Sequence, residues 1–407
     1  SSCIFLYIRY VRFFLFFIFS LFFLSSKAQV YFPQNNTSLW DTISPSSLNW
    51  CQDKIDSLYN FLEVNNTKSF ILLKNGKIVL EQYFNGHTDT SYWYWASAGK
   101  TLTSFLVGMA QEEGFLDILD TTSNYLGSGW TNCTSFQEEK ITIWNQLTMT
   151  SGLNDYVADP HCTIDTCLNY LSDPGTRWAY HNAPYTLLRS VLENATGQGI
   201  NLYGYQKLFN QIGMDGLFVY SGYYNLFTST SRSMARFGLL IQNQGYWNGN
   251  QIMTDANYFN QMTNSSQTLN ESYGYFWWLN GKSSFMLPGT QFLFNGSLMP
   301  NAPNDLIAAL GKNGQYINIV PSDNLVWIRM GENPDSSLVP VSFNLDIWDY
   351  INDLTCNQSD VMQYNDNMSR KLIKVFDVFG REVKDTENTI MFYIYDNGTV
   401  EKKIIVD

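Results

Sequence analysis

The sequence predicts an α+β protein in which an antiparallel sheet is flanked by helices, and three observations lead to this prediction. Strand-like runs occur near both ends of the main part of the chain, at 70–84 and 306–330. Between them, from about residue 97 to 245, apolar residues recur mostly at helical spacing. A more highly charged segment, 357–407, ends the chain. We therefore expect one sheet built from both ends of a domain, with a mostly helical insertion and a small β tail.

The amino-terminal segment, residues 1–28, has the pattern of an export signal. Arg9 and Arg12 precede an apolar run from Phe13 to Leu24, and small residues lead to Ala28. A basic stretch, an apolar run too short to span a bilayer comfortably and small residues before a cleavage point are typical of secretory signals. We expect the mature chain to be secreted or held at the cell surface without an integral membrane span. An uncleaved anchor is the alternative.

The domain that follows is predicted to span residues 38–356, with the helical insertion at about 110–245. Its hairpin turn is Asn75-Gly76, because both central residues of a type I′ turn need a positive φ. The other predicted elements are helices at Leu48–Val64, Ser97–Glu113, Ala183–Thr196 and Val341–Leu354, and strands at Phe70–Leu73, Ile78–Phe84, Leu306–Leu310, Tyr316–Val320 and Val326–Met330. The predicted tail strands are Ile373–Val378, Thr389–Tyr395 and Val400–Val406, with a turn at Asn397-Gly398.

The composition excludes several classes of protein. Hydrophobic residues make up 45% of the chain and charged residues only 15%, which argues against disorder. The formal net charge of −12 argues against a nucleic-acid partner, because phosphate binding requires clustered Lys and Arg. The histidines and cysteines have no metal-ligand spacing, so we expect neither a metal nor a cofactor.

Ser97 and Lys100 form an S-x-x-K motif that could provide a nucleophile and its base. If Ser97 begins a helix, Lys100 lies one turn later on the same face. A lysine can take a serine proton only when desolvation or a nearby cation lowers its pKa from about 10.4. The apolar run from Tyr92 to Ala96 could supply that desolvation. The alternative is a chance match, since about one is expected in a serine-rich chain.

Tyr180 is a second candidate, within Tyr180-His181-Asn182. A turn at 174–178 precedes it and a helix follows at Ala183, so its side chain could point into a cleft. There a nearby lysine cation would favour the phenolate and make the tyrosine a base. The alternative is an ordinary half-buried turn tyrosine.

Lys312-Asn313-Gly314 is a third candidate, lying between two predicted strands. We expect it to enter an edge strand beside a cleft, where Lys312 could hold a substrate carboxylate. Gly314 would let a substrate approach the backbone, and the N–H of Gln315 could donate to an oxyanion. The alternative is a simple turn, as expected for the same tripeptide at 74–76.

The order Ser-x-x-Lys, Tyr-x-Asn, Lys-x-Gly resembles the layout of the β-lactamase and penicillin-binding-protein superfamily of serine hydrolases. The resemblance extends from about residue 48 to 355 and is strongest to the class C β-lactamase-related branch, near the nylon-oligomer hydrolases and esterases. Further segments that contribute to it are Trp95–Lys100, Ile141–Leu153, Pro174–Thr176 and Met234–Leu240.

The resemblance implies a β-lactamase/transpeptidase-like fold and a role for each motif residue. The implied roles are Ser97 as acylated nucleophile, Lys100 as its activating partner, Tyr180 as shared base and acid, Asn182 as a substrate-positioning residue, Lys312 and Gly314 as the third motif, and the N–H groups of Ser97 and Gln315 as the oxyanion hole. Asn313 stands where this motif usually has Thr or Ser. His181 replaces a small residue and could line the cleft or face solvent.

Five cysteines follow the signal segment, so at least one is not paired within the chain. The fold implied by the resemblance packs its first and last helices together, which would bring Cys51 close to Cys356 as a disulfide. Cys162 and Cys167 could close a short loop and leave Cys133 unpaired.

The tail segments Lys371–Glu382 and Phe392–Lys403 resemble the C-terminal sorting domain of Bacteroidota type IX secretion. This resemblance implies the type IX machinery as a partner and passage across the outer membrane. A generic β appendage is the alternative.

These observations predict a secreted serine hydrolase that cleaves an amide or ester bond of a small molecule or peptide through a Ser97 acyl-enzyme. The absence of G-x-S-x-G argues against an α/β-hydrolase triad. Within enzymes, the alternative is a β-lactamase or D-alanyl-D-alanine carboxypeptidase. From another class, the alternative is a non-catalytic protein that binds peptidoglycan or peptides.

Overall fold

The structure is a computed structural model that describes residues 30–35, 37–334, 340–356, 371–377, 381–384, 390–396 and 400–404. The predicted signal, residues 1–28, and the predicted turn at Asn397-Gly398 lie outside the described residues. The chain divides into two compact units, of which the first ends at Thr355 and the second begins at Cys356.

The first unit has strands at both ends and helices between them. Its strands are β1 (Thr67–Lys74), β2 (Lys77–Tyr83), β3 (Trp93–Tyr94), β4 (Leu217–Ser221), β5 (Tyr224–Ser229), β6 (Tyr246–Trp247), β7 (Asn250–Gln251), β8 (Trp278–Leu279), β9 (Ser284–Phe285), β10 (Phe294–Asn295), β11 (Ile307–Gly311), β12 (Gln315–Val320) and β13 (Leu325–Gly331). Its helices are α1 (Gln52–Val64), α2 (Lys100–Glu112), α3 (Ser123–Leu126), α4 (Ser135–Glu138), α5 (Ile143–Leu147), α6 (Asn182–Thr196), α7 (Ile200–Gly204), α8 (Asn210–Ile212), α9 (Ser231–Gln242), α10 (Ala256–Met262) and α11 (Val341–Asn352).

A six-stranded sheet in the order β2-β1-β13-β12-β11-β8 forms the centre of this unit, and every neighbouring pair is antiparallel. β1 comes from the start of the domain and β13 from its end, with Phe70 opposite Arg329. All residues of β12 and β13 are buried, as expected for a sheet that is covered on both faces. This confirms the prediction of one antiparallel sheet built from two distant parts of the chain.

Helices cover the two faces of the sheet. Val326 of β13 faces α9, where Gly238 leaves so little space that an added Cβ would lie 2.7 Å from a Val326 methyl group. The next residue, Trp327, faces α11 and packs on Trp348 with the ring centroids 5.8 Å apart. Because successive strand residues point to opposite faces, α9 and α11 lie on opposite sides of the sheet.

Two elements differ from the prediction. The helix expected at Ser97–Glu113 begins as a 3-10 turn, Ala96–Gly99, and continues as α2. The insertion also contains the hairpin β4–β5, and β5 pairs with β3 just before that turn. The residues of β5 alternate between buried and more exposed positions, a period of two that the longer helical pattern around it obscures.

The cysteines of the first unit are partly paired. Cys162 and Cys167 form a disulfide with each other, and Cys133 is a half-buried free thiol. Cys51 and Cys356 are both disulfide-bonded as well. The pairing of Cys51 with Cys356 that the resemblance implies stays a prediction.

The second unit is a small antiparallel sheet in the order β14 (Leu372–Asp377), β15 (Ile390–Tyr395), β16 (Val400–Ile404). Val375, Met391, Tyr393 and Tyr395 form its own apolar core. The predicted β tail is therefore present. In neither unit is any described helix long and apolar enough to cross a membrane.

Candidate active site

Ser97 lies in the turn that joins β3 to α2. β3 is held against β5 by the pairing of Trp93 with Ser229. Ala96 then adopts a φ of 46°, a left-handed conformation that is uncommon for a residue with a side chain. The turn that follows places the half-buried Ser97 in the wall of a cavity.

Lys100 lies three residues after Ser97 and is only 4% exposed. Its Nζ donates to the Oγ of Ser97 at 2.9 Å. The rings of Tyr180 and Tyr185 lie 5.1 and 4.5 Å from the same nitrogen. Burial lowers the pKa of Lys100 to about 7, so a large fraction of it is a neutral amine at neutral pH and able to accept a proton.

Tyr180 lies beside Ser97 and Lys100, and its side chain interacts with that of Ser97. Its ring stacks on Trp278 with centroids 6.0 Å apart and an angle of 17° between the planes. Burial raises the pKa of Tyr180 well above its usual value, and the interaction with Ser97 opposes this only in part. The expected phenolate is therefore wrong for the free protein. Tyr180 is a phenol that can donate a proton, and Lys100 is the better base.

The third motif lies partly in the cavity. Lys312–Gly314 is a 3-10 turn between β11 and β12 and does not enter an edge strand, contrary to the prediction, because the short β8 occupies the edge next to β11. Lys312 is exposed and Asn313 half-buried, and both line the cavity. The Nδ2 of Asn313 donates to the hydroxyl of Tyr94 at 2.6 Å.

Gly314 and the side chain of Gln315 do not line the cavity, and the expected oxyanion role of the Gln315 backbone N–H stays a prediction. A Cβ on Gly314 would lie 2.3 Å from the guanidinium of Arg329. Gln315 is fully buried, and its side chain donates to the carbonyl of Gly331 at 2.6 Å. The backbone of Gly311 approaches the Ser97 turn closely, since a Cβ there would lie 2.7 Å from the carbonyl oxygen of Trp95.

Arg329 is a buried residue that the sequence analysis missed. Its Nη1 donates to the carbonyl oxygens of Asn313 at 3.0 Å and Gly314 at 2.8 Å, and its Nη2 donates to that of Asn65 at 2.8 Å. Burial lowers its pKa to about 10, so it stays charged at neutral pH and holds the third motif through the backbone. A single arginine within an apolar strand has no sequence pattern that would predict this contact.

Asn182 lies at the start of α6 and faces His161, a second residue that the sequence analysis missed. The Nδ2 of Asn182 is 3.4 Å from the Nε2 of His161, and both residues line the cavity. The only sequence signal for His161 was its position beside Cys162, whose disulfide closes a loop at this wall. His181 neither lines the cavity nor faces solvent: it is 2% exposed, and burial lowers its pKa to about 4.

One cavity of about 470 Å³ brings together the side chains of Ser97, Lys100, His161, Tyr180, Asn182, Lys312 and Asn313. Ser97 comes from the 3-10 turn Ala96–Gly99, and Lys100 is the first residue of α2. Tyr180 lies just before α6 and Asn182 is its first residue, while Lys312 comes from the turn after β11. The other walls are mainly aromatic or apolar and include Tyr94, Pro160, Tyr185, Tyr224, Leu226 and Pro288. Such a cavity can bind an acyl group and limit the access of water. Among the described residues there is no cluster of three or more His, Cys, Asp or Glu side chains that could hold a metal ion.

An antiparallel sheet covered by helices on both faces, with Ser97, Lys100 and Tyr180 together at one cavity, defines the β-lactamase/transpeptidase-like class of proteins. Residues 67–333 match the Beta-lactamase family, and the chain belongs to that family. Members of this family are serine hydrolases.

Among curated proteins, the chain is 25% identical over 194 residues to a Bacillus subtilis (strain 168) protein assigned as penicillin-binding protein PbpX. The match covers 43% of this chain and 46% of that protein. The chain therefore spans less than half the length of this curated relative.

Two solved structures illustrate the likeness in fold. One, assigned as a 6-aminohexanoate-dimer hydrolase from Bacillus anthracis, has a TM-score of 0.58 and 20% identity, over 80% of this chain and 91% of that chain. A family VIII carboxylesterase has a TM-score of 0.54 and 14% identity, over 74% of this chain and 98% of that chain. At these identities, the comparisons show the fold alone.

Proposed function

We propose that this chain hydrolyses an amide or ester bond in a small molecule or peptide through an acyl-enzyme on Ser97. The observation that carries the proposal is the contact between Lys100 Nζ and Ser97 Oγ at 2.9 Å, with the lysine buried and its pKa lowered to about 7. A buried amine of this kind can activate a hydroxyl that is otherwise a weak nucleophile.

In the acylation step, the neutral amine of Lys100 takes the Ser97 proton while Oγ forms a bond to the substrate carbonyl carbon. The carbonyl electrons move to its oxygen, and the N–H of Ser97 is the proposed donor to that oxyanion. Collapse of the intermediate breaks the bond to the leaving amine or alcohol, which takes a proton from Tyr180. The ammonium of Lys100 then returns its proton to the Tyr180 phenolate, whose ring centroid lies 5.1 Å from Nζ, so both groups are neutral again.

In the deacylation step, a water molecule attacks the Ser97 ester and gives its proton to the same base. The ester bond breaks, Ser97 regains a proton, and the carboxylic acid leaves. The protonation states favour this sequence, because burial makes the neutral amine of Lys100 available at neutral pH and keeps Tyr180 protonated.

The test is labelling with a fluorophosphonate probe, followed by mass spectrometry of the modified peptide. We expect the label on Ser97, and we expect Ser97→Ala to lose both the label and about a thousandfold or more of the turnover of a p-nitrophenyl ester. Ser91→Ala is the matched control and should keep both. Absence of label on protein that melts cooperatively would overturn the proposal in favour of a non-catalytic peptide-binding or peptidoglycan-binding role.

The second candidate function is a β-lactamase or D-alanyl-D-alanine carboxypeptidase. The exposed ammonium of Lys312 at the cavity favours it, because substrates of both reactions carry a carboxylate. If it is correct, Lys312→Gln should raise KM for nitrocefin or a D-Ala-D-Ala peptide and leave KM for a neutral ester unchanged. Equal effects on both substrates would argue against this candidate.

We also propose that the protein is exported by the type IX machinery. The small sheet β14–β16 supports a separate tail module, and the basic and apolar pattern of residues 1–28 supports a signal. Expression in a Bacteroidota host with and without residues 357–407 tests the proposal. Retention of the truncated protein inside the cell is the expected result, and equal export of both forms would contradict it.

A further inference from the structure

The hairpin β9–β10 has no role in the mechanism above, although its loop reaches the cavity. Pro288 and Gly289, which lie between the two strands, line the cavity. Farther along the same loop, Phe292 is 74% exposed and Leu293 is 54% exposed, and Phe294 at the start of β10 is 39% exposed. We call these three residues the apolar rim. Adjacent apolar side chains that are exposed together, unlike scattered single ones, are typical of a binding surface.

Contacts within the hairpin and with the main chain beside it hold the apolar rim in place. Phe294 lies opposite Phe285, and the two rings stack with centroids 5.2 Å apart and an angle of 15° between the planes. The ring of Phe292 lies 6.2 Å from that of Phe294. The Nε2 of Gln291 donates to the carbonyl of Trp178 at 3.0 Å, in the segment that leads to α6. The exposed side chains therefore belong to a structured wall of the active site.

The segment that forms the hairpin carries no charge. No Asp, Glu, Lys or Arg occurs between Lys282 and Asp305. The cavity that the loop adjoins is mainly aromatic and apolar as well. A charged or strongly hydrated group would find no partner on the rim, whereas an apolar group gains free energy by leaving water there. A ligand that extends from the cavity along the rim should therefore be apolar.

The size of the apolar rim fits an alkyl chain and not a protein partner. At their exposed fractions, the three side chains present roughly 300 Å² of apolar surface. A stable protein–protein interface buries about 800 Å² on each partner, so the rim alone is too small for one. At about 30 Å² per methylene, the rim matches a chain of about ten carbons. Because the same loop lines the cavity, one chain can lie against both.

We propose that the apolar rim binds a long alkyl chain of the substrate, so that the site prefers long-chain alkyl esters or amides to short ones. The reacting carbonyl lies at Ser97, and the first carbons of the chain occupy the cavity. The later carbons leave past Pro288 and lie on Phe292 and Leu293. The inference rests on the proposed hydrolase function and names its substrate class.

The experiment measures the rate constants with which a butyl and a dodecyl fluorophosphonate label the full chain. In this reaction, Ser97 Oγ displaces fluoride from phosphorus and Lys100 takes the serine proton, so both probes need the same nucleophile and base. Both are used below the concentration at which they form micelles. Half-burial of a methylene on the rim should raise the rate constant about twofold. We therefore expect the dodecyl probe to label Ser97 about thirtyfold faster than the butyl probe, or more.

The matched variants compare the rim with exposed apolar residues elsewhere. Phe292→Ser/Leu293→Ser should lower the dodecyl-to-butyl ratio about tenfold by slowing the dodecyl reaction. Phe136→Ser/Leu119→Ser is the control and should keep the ratio, since Phe136 is 72% and Leu119 is 70% exposed and neither lines the cavity. If the rim double variant does not melt cooperatively, Phe292→Ser alone decides, with an expected loss of about threefold in the ratio.

Each outcome supports or overturns the inference. Equal labelling by the two probes, or an unchanged ratio in the rim variant, overturns it, and label on Ser97 leaves the hydrolase proposal intact. A long-chain advantage that occurs only above the micelle concentration also overturns it and assigns the rim to a lipid surface. An unchanged ratio with a change from dimer to monomer in light scattering assigns the rim to a second copy of the chain. Absence of label from both probes on folded protein overturns the proposed function and the inference with it.

Discussion

At the scale of single residues, the candidate site depends on what burial does to Lys100 and Tyr180. Burial disfavours the charged form of both groups, so it lowers the pKa of the lysine and raises that of the tyrosine. One aromatic environment therefore provides a neutral base and a neutral acid on either side of Ser97. Neither a metal nor a carboxylate is needed to separate the two roles.

The pH dependence of ester hydrolysis should follow Lys100. Only the neutral amine accepts the Ser97 proton, so kcat/KM for a neutral ester should rise about tenfold per pH unit below a midpoint of about 7 and level off above it. A pH profile with initial rates checks this. A midpoint near the ordinary lysine value would contradict the neutral-base mechanism.

Lys100→Met should raise the melting temperature at pH 7 while it abolishes activity. Because the pKa of Lys100 is lowered from 10.5 to about 7 in the folded state, its cost to stability is fully present below pH 7 and disappears as the pH rises to 10.5. The stabilisation by Met should therefore be large at pH 7 and small at pH 10. Thermal melts at the two pH values test this, and a lower melting temperature at pH 7 would contradict it.

At the scale of elements, three segments far apart in the sequence supply the site, and none of them lies inside a long helix or strand. They are the 3-10 turn Ala96–Gly99, the first residues of α6, and the turn Lys312–Gly314. The sheet and α2 place these segments together, and each one is held by backbone contacts. The loop at 154–170 is the wall whose shape depends on a covalent bond, Cys162–Cys167.

Removal of the Cys162–Cys167 disulfide should weaken substrate binding more than the chemical step. The bond lies next to His161 and far in sequence from Ser97 and Lys100, so its loss frees one wall and leaves the nucleophile in place. We expect the double variant Cys162→Ser/Cys167→Ser to raise KM severalfold with kcat for a small ester nearly unchanged. Steady-state kinetics measure this, with Cys133→Ser as the control. A fall in kcat with an unchanged KM would contradict this and show that residues 154–170 affect the chemical step.

At the scale of the whole molecule, the first unit completes its own sheet, because β1 from its beginning pairs directly with β13 from its end. The tail is a separate unit with its own core. Deletion of residues 357–407 should therefore change neither kcat/KM for an ester nor the melting temperature of the larger unit. Differential scanning calorimetry of both forms tests this. A fall in that melting temperature would show that the tail supports the hydrolase unit.

Local chemistry explains which parts of the molecule could be predicted. Asn75-Gly76 encodes its turn in two adjacent residues, and the spacing of Ser97 and Lys100 is set by one helical turn. Arg329 and His161 could not be predicted in the same way. Their roles depend on contacts with Asn313 and Asn182, which are close only in the folded chain.

The charge of Tyr180 was mispredicted for a related reason. A motif shows that a lysine and a tyrosine can be neighbours, but only the packing around them shows how far each is removed from water.

Arg329 has a consequence for how this protein can evolve. Its guanidinium donates hydrogen bonds to the main-chain carbonyl oxygens of the turn at 312–314, and every amino acid has such an oxygen. Lys312 can therefore change without loss of the scaffold, and natural variants can acquire new substrates there. Asn313 is more constrained, because its φ of 63° is a left-handed conformation that asparagine and glycine adopt most readily. Gly314 is not free, since it adopts a φ of 73° and lies directly against the guanidinium. Lineages should thus retain the glycine and the arginine and keep Asn or Gly at position 313, while position 312 diversifies.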